Sequence, residues 1–235
     1  MGRRRPPSFE TLWDRHERLY RDIFSRALRR LADSRRSEDE DGISRELCPI
    51  LREVCFDLYQ ASRREIRPPV WESPKVENLK RPDFTCALIN VQATTYEEYV
   101  MSLDVECKRL SRPSTAQWNY NREYIENGIR RFDSLTHQYG KEVPSGMMIG
   151  YVIGMEPEEI RQEVNGHQTK LLPQNPELEF DFAADSPYQT EQRLRRRATV
   201  PETFKLIHIW VDLRRGQPGR ADRIVSSAGS FVVLR

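Results

Sequence analysis

Asp83 and, after a spacer, Glu106-Cys107-Lys108 bring two carboxylates and an amine into one part of the sequence. The segment Tyr99 to Lys108 alternates over its second half, with Leu103, Val105 and Cys107 on one face of a strand and Asp104, Glu106 and Lys108 on the other. Positions two apart on a strand lie roughly 7 Å apart, so Glu106 can hold a metal while Lys108 reaches a water or phosphate beside it. Asp83 opens the apolar run Phe84 to Val91 and would face them from the adjacent strand. Mg²⁺ prefers hard oxygen ligands and is usually held by one or two carboxylates plus phosphate oxygens, and Mn²⁺ takes similar donors. Such an ion acidifies water, screens a phosphodiester and stabilises the leaving alkoxide. A compact ammonium at Lys108 suits positioning the water or neutralising the developing charge. Six of the 38 basic residues are lysines, so a lysine at this position is informative. The chemistry these three residues suggest is metal-dependent hydrolysis of a phosphodiester.

Two paired strands must carry this set, and the pattern supplies them. Strands are expected over Phe84 to Val91 and about Tyr99 to Arg109, joined by a polar turn around Thr94-Thr95 and paired antiparallel so that Asp83 meets the Lys108 end. Ahead of them, apolar residues at helical spacing from Ser8 to Ala32 predict an amphipathic helix, and the acidic stretch Ser34 to Gly42 reads as a loop. A second stripe from Ile43 to Tyr59 predicts another helix, kinked in its first turns by Pro49. Val70, Trp71 and Val76 mark a short edge strand among prolines. Beyond the pair, the spacing predicts a helix over 115–139 ending before Gly140, a buried strand over 147–153 and a short helix from near Pro157. The stretch from about Gly166 to Pro201 reads as a polar excursion with little regular structure, carrying Arg193, Arg195, Arg196 and Arg197 as an arm that could touch phosphates. Phe204 to Leu213 and Ser230 to Leu234 close the chain as strands.

At 235 residues the chain has the length of one domain. With 37% hydrophobic and 31% charged residues it is polar but not of disordered composition. A net charge of +2 excludes a strongly basic architectural nucleic-acid binder, so phosphate binding must rest on local patches. Cys48, Cys55, Cys86 and Cys107 fall inside core segments without ligand spacing and read as reduced thiols, and no apolar run approaches the roughly 20 residues of a membrane span, so a cytoplasmic protein is expected. His16, His137, His167 and His208 lack metal spacing, and no phosphate-binding or dinucleotide glycine motif is present.

Arg81-Pro82-Asp83 followed by Asp104-Val105-Glu106-Cys107-Lys108 resembles the PD-(D/E)XK motif of the restriction endonuclease-like nucleases. The resemblance covers mainly residues 43–155. It implies an α/β core of order α-β-β-β-α-β, a mixed central sheet flanked by helices, here with an N-terminal helical extension over 1–42 and the nuclease-like domain over 43–235. It implies Asp83 and Glu106 as metal ligands and Lys108 as the catalytic lysine, with Mg²⁺ as cofactor and Mn²⁺ as substitute. Some members carry an extra ligand on the first core helix. Glu46 is the natural candidate and Glu53 the alternative, although Glu46 reads equally as an acid complementing the helix dipole. Exonuclease-like branches carry Gln-x-x-x-Tyr on the next helix, whereas here Gln117 is followed by Asn121. Tyr120, Arg122 and Tyr124 on that helix are candidate substrate contacts, as are Arg195, Arg196 and Arg197. The runs 124–132 and 146–152 are similar to nuclease-type proteins of bacterial defence and mobile-element loci. An endonuclease acting on DNA is thus expected, as a homodimer or with partner defence proteins. The alternatives are an RNA-cleaving enzyme and a non-catalytic nucleic-acid-binding or assembly module on the same fold.

Overall fold

Ser8 caps the first helix by accepting from the Thr11 amide, and α1 runs Phe9–Ser34. The computed structural model describes residues 8–35, 37–72, 81–90, 93–95, 99–113, 115 and 118–214. Asp39 starts α2 (Glu40–Ser62) in the same way, its Oδ1 accepting from Gly42 N at 2.8 Å. The helix therefore begins three residues before Ile43, and Glu40 and Asp41 belong to its first turn rather than to a loop. Pro49 stands inside α2 without ending it; Arg63, in the left-handed region at φ 56°, does that.

A six-stranded mixed sheet follows in the order β1-β2-β3-β4-β6-β5. Its strands are β1 (Val70–Trp71), β2 (Phe84–Ile89), β3 (Val100–Leu110), β4 (Ser145–Val152), β5 (Tyr188–Arg195) and β6 (Thr203–Asp212). β1, β2 and β3 pair antiparallel, β4 lies parallel to both β3 and β6, and β5 closes the far edge antiparallel to β6. Every residue of β4 is buried, as expected of a central parallel strand covered on both faces. Register sets Glu106 beside Met148 and His208, and Lys108 beside Gly150 and Trp210.

Helices cover both faces. On one, Trp13 of α1 donates its indole N–H to Ser145 Oγ at 2.8 Å, and Ser44 of α2 lies 3.2 Å from the Tyr151 hydroxyl. On the other, α3 (Tyr120–Glu126) sends Tyr124 against His208 and Trp210, and packs beside α4 (Pro157–Leu171). The apolar stripe of α1, from Trp13 to Leu31, belongs to the same core as the sheet.

Two expectations require correction. The helix over 115–139 shortens to α3, followed by a 3-10 turn over Ile129–Asp133 and further turns. Gly128 makes the break: a Cβ there would lie 2.4 Å from the Tyr124 carbonyl and 2.5 Å from Met148 Cε. The excursion over 166–201 holds more regular structure than expected: its first residues end α4 and 188–195 form β5, while 172–187 and 196–201 carry neither helix nor strand. β5 escaped notice because Glu191, Arg193 and Arg195 alternate with only two buried residues, Gln192 and Leu194. Val76, Val91, Gln117 and the expected strand Ser230 to Leu234 lie outside the described residues.

Candidate active site

β2 is shorter than β3, and this mismatch builds the site. Their pairing begins at Phe84 opposite Val105, so β3 runs on from Glu106 to Leu110 without a β2 partner. Backbone amides on that free edge need acceptors, and two carboxylates serve them. Asp83 Oδ2 accepts from Cys107 N at 2.6 Å, and Glu40 Oε2 from Arg109 N at 3.1 Å.

Between these caps lies Lys108, 7% exposed. Its amine donates to Glu106 Oε1 at 2.6 Å, to the Cys107 carbonyl at 2.7 Å and to Glu40 Oε1 at 2.9 Å. Glu106 is fully buried, and its Oε1 also accepts from Arg131 Nη1 at 2.5 Å. Arg131 comes from the 3-10 turn and also meets the Tyr139 hydroxyl. Glu106 Oε2 is buried and has no hydrogen-bond partner among the described residues.

Three carboxylates thus face two cations in a poorly solvated place. Burial first, and then the Asp83 charge, push the Glu106 carboxyl up to about 8 against the pull of Lys108 and Arg131. Asp83 is raised too, mainly by burial, with Lys108 opposing and Glu40 adding to the rise. Burial works against the ammonium of Lys108, but Glu106, Glu40 and Asp83 together outweigh it and hold the amine charged.

A hard divalent ion fits this donor set. An orphaned carboxylate oxygen with a second buried carboxylate close by is what an open Mg²⁺ site of one or two carboxylates would use. A closed structural metal cage is not what the residues form: among the described residues no group of three or more His, Cys, Asp or Glu side chains is placed to hold an ion.

The structure brings Asp83, Glu106 and Lys108 together and places the other candidates elsewhere. Glu46 accepts from both the amide and the hydroxyl of Ser37, tying α2 to the segment before it, and Glu53 is exposed on the outer face of α2. The acid of α2 that meets Lys108 is Glu40, one helical turn and a half earlier than Glu46. Tyr124 is fully buried with its hydroxyl 2.8 Å from His208 Nδ1 and 3.0 Å from Trp210 Nε1, so it cannot reach a substrate. Arg196 is 2% exposed, donates to the carbonyls of Pro201, Phe132, Tyr139 and Gly140, and lies over the Phe204 ring; it is a structural post. Arg195 and Arg197 are exposed, with Arg195 on β5, which lies beyond β4 and β6 from β3, three strand spacings or about 14 Å away. Arg122 is exposed and paired with Glu126 at 2.8 Å, whereas the half-buried Tyr120 lies under Arg109, whose guanidinium carbon is 4.7 Å from the ring centroid. Asp104 accepts from Gly140 N at 2.8 Å and so anchors the turns that follow Arg131.

Glu40, Arg131 and Tyr139 are the members of this cluster that sequence reasoning passed over. Asp39 as a helix cap was the available signal for Glu40. Nothing in the local sequence separates Arg131 from its neighbour Arg130, which is exposed. No family model, curated protein or solved structure matches the chain. No helix among the described residues is long and apolar enough to cross a membrane.

Proposed function

We propose that the chain is a divalent-metal-dependent endonuclease that hydrolyses DNA phosphodiesters on a restriction-endonuclease-like core. The observation that carries this reading is the buried, unpartnered Glu106 Oε2 beside Asp83, with a charged lysine held on the same carboxylate. The run of elements α2-β1-β2-β3-α3-β4, with Asp83 before the second strand and Glu106 and Lys108 on the third, supports it.

Asp83 and Glu106 would hold the ion, which when bound supplies an acidified water and charge for the phosphate oxygens. Lys108 acts as a cation rather than a proton acceptor, because its carboxylate neighbours keep it protonated. Its amine orients the attacking water or meets the charge growing on the phosphate. Arg131 fixes Glu106 through Oε1, which leaves the buried Oε2 as the oxygen free for an ion. Glu40 holds the far side of the Lys108 amine in place.

A second reading has its own support. Asp83 and Glu40 cap a free strand edge, a structural duty that a non-catalytic binding module would equally need. Plasmid and linear DNA incubated with the protein decide between them. Cleavage in Mg²⁺ that stops in excess chelator and is absent from a folded Lys108→Met variant supports the nuclease. Undiminished cleavage in chelator, or by that variant, overturns it.

A further inference from the structure

Beyond Lys108, β3 delivers a second set of groups that the hydrolytic reading does not use. Arg109 lies over Tyr120, and Tyr120 meets Trp118 edge-on, with ring centroids 6.4 Å apart and planes at 78°. Trp118 is 48% exposed. The indole is the open end of the Arg109–Tyr120–Trp118 row. Arg109 is tied down by donating from Nη1 to the Glu38 carbonyl at 3.2 Å, while its Nε is buried without a hydrogen-bond partner among the described residues. Glu38 and Arg112 both line a cavity of about 520 Å³ of mixed charge, whose wall also holds Arg35, Arg214, Glu156 and Glu159. Starting one residue past Lys108, the surface therefore reads as arginine, aromatic and aromatic, with Arg112 on the wall of the neighbouring hollow.

Aromatic faces interleaved with arginines are what a single nucleic-acid strand requires, since each unpaired base offers a flat face and each linkage a negative charge. A paired duplex hides those faces, leaving the phosphates alone to bind. We infer that Trp118, Tyr120, Arg109 and Arg112 form a stacking platform for an unpaired stretch of DNA next to the bond that is cut, which makes forks, overhangs or single strands the substrate class. The inference rests on the nuclease reading for its position on the strand, but it is tested as binding.

The test uses the full chain carrying Lys108→Met, in chelator, so that nothing is cut. Fluorescence anisotropy measures its affinity for a labelled oligothymidylate and for a blunt duplex of equal length. The single strand is expected to bind more tightly. Trp118→Ala should lower single-strand affinity about tenfold, in line with the loss of one base stack. Trp118→Phe should recover most of that loss, and duplex affinity should hardly change. Trp118 projects from a loop, and a thermal melt equal to that of the parent shows the fold intact. Equal losses on both DNAs, or no loss on the single strand, overturn the platform. Single-strand binding that depends on Trp118 in a protein that never cleaves would retire the nuclease reading and leave the platform standing.

Discussion

On the proposed reading a proton and a metal ion would compete for Glu106. In the unfolded chain its carboxyl titrates near 4.5, whereas in the fold burial and Asp83 raise it to about 8. Between those values the folded state holds a proton that the unfolded state has lost, so the metal-free protein loses stability as pH rises from about 4.5 to about 8. Asp83, raised in the same direction, adds to the loss. Mg²⁺ needs the ionised carboxylate, so its affinity should climb with pH up to about 8 and then level off. Titration calorimetry at stepped pH reads this directly, and Glu106→Gln should abolish both the binding and its slope. A flat profile in the parent protein would separate Glu106 from the ion. Arg196 makes the opposite prediction. Its hydrogen bonds to four carbonyls are internal, so Arg196→Ala should cost about 3 kcal/mol in denaturant unfolding while the folded fraction keeps its DNA affinity.

At the scale of elements, the end of β2 decides what Asp83 does, and two substitutions separate its duties. Asp83→Asn keeps an oxygen for the Cys107 amide, so stability should hold while Mg²⁺ binding fails. Asp83→Ala orphans that amide and should cost about 1–3 kcal/mol as well. If Asp83→Asn melts as low as Asp83→Ala, the carboxylate charge itself supports the fold. Gly128 governs the next element. Gly128→Ala would drive a methyl into the Tyr124 carbonyl and should cost about 1–3 kcal/mol while loosening the turn that aims Arg131 at Glu106. Elements with a plain period were legible in the sequence: α1, β2, β3, β4 and β6 lie within a few residues of where alternation or helical spacing puts them. Asp83, Glu106 and Lys108 converge for the same reason, because the period of two fixes their face. What escaped notice depends on partners. β5 is a strand because β6 and α1 receive it, the latter through Arg21 reaching Gln189 and Glu191. Helical spacing continues past Gly128 through Ile129 and Phe132, but Gly128, at φ −120° and ψ −90°, turns the backbone out of the helix. Glu40 was hidden by reading an acidic run as a loop when its last acids begin a helix.

Across the whole molecule, a net charge of +2 gives no general attraction to DNA, so affinity must follow particular arginines. Arg193, Arg195 and Arg197 are exposed along one edge. If they hold phosphates, replacing Arg195 and Arg197 with alanine should lower the slope of log affinity against log salt by about one to two without changing single-turnover cleavage at saturating DNA. An unaltered slope returns them to the solvated surface.

α1 reaches across the sheet to both ends of the chain's history. His16 donates to the Cys86 carbonyl of β2 at 2.9 Å, Trp13 to Ser145 of β4, and Glu17 receives Lys205 of β6 at 2.6 Å. Its partners are thus made roughly 70, 130 and 190 residues after it. In synthesis α1 precedes all three strands, and although α2 packs against it early, its contacts to the sheet are complete only once β6 has been made. Contacts this distant in sequence slow folding. A nascent chain stalled before Thr203 should therefore lack the Lys205 anchor on Glu17, and protease should cut α1 faster in it than in the folded chain.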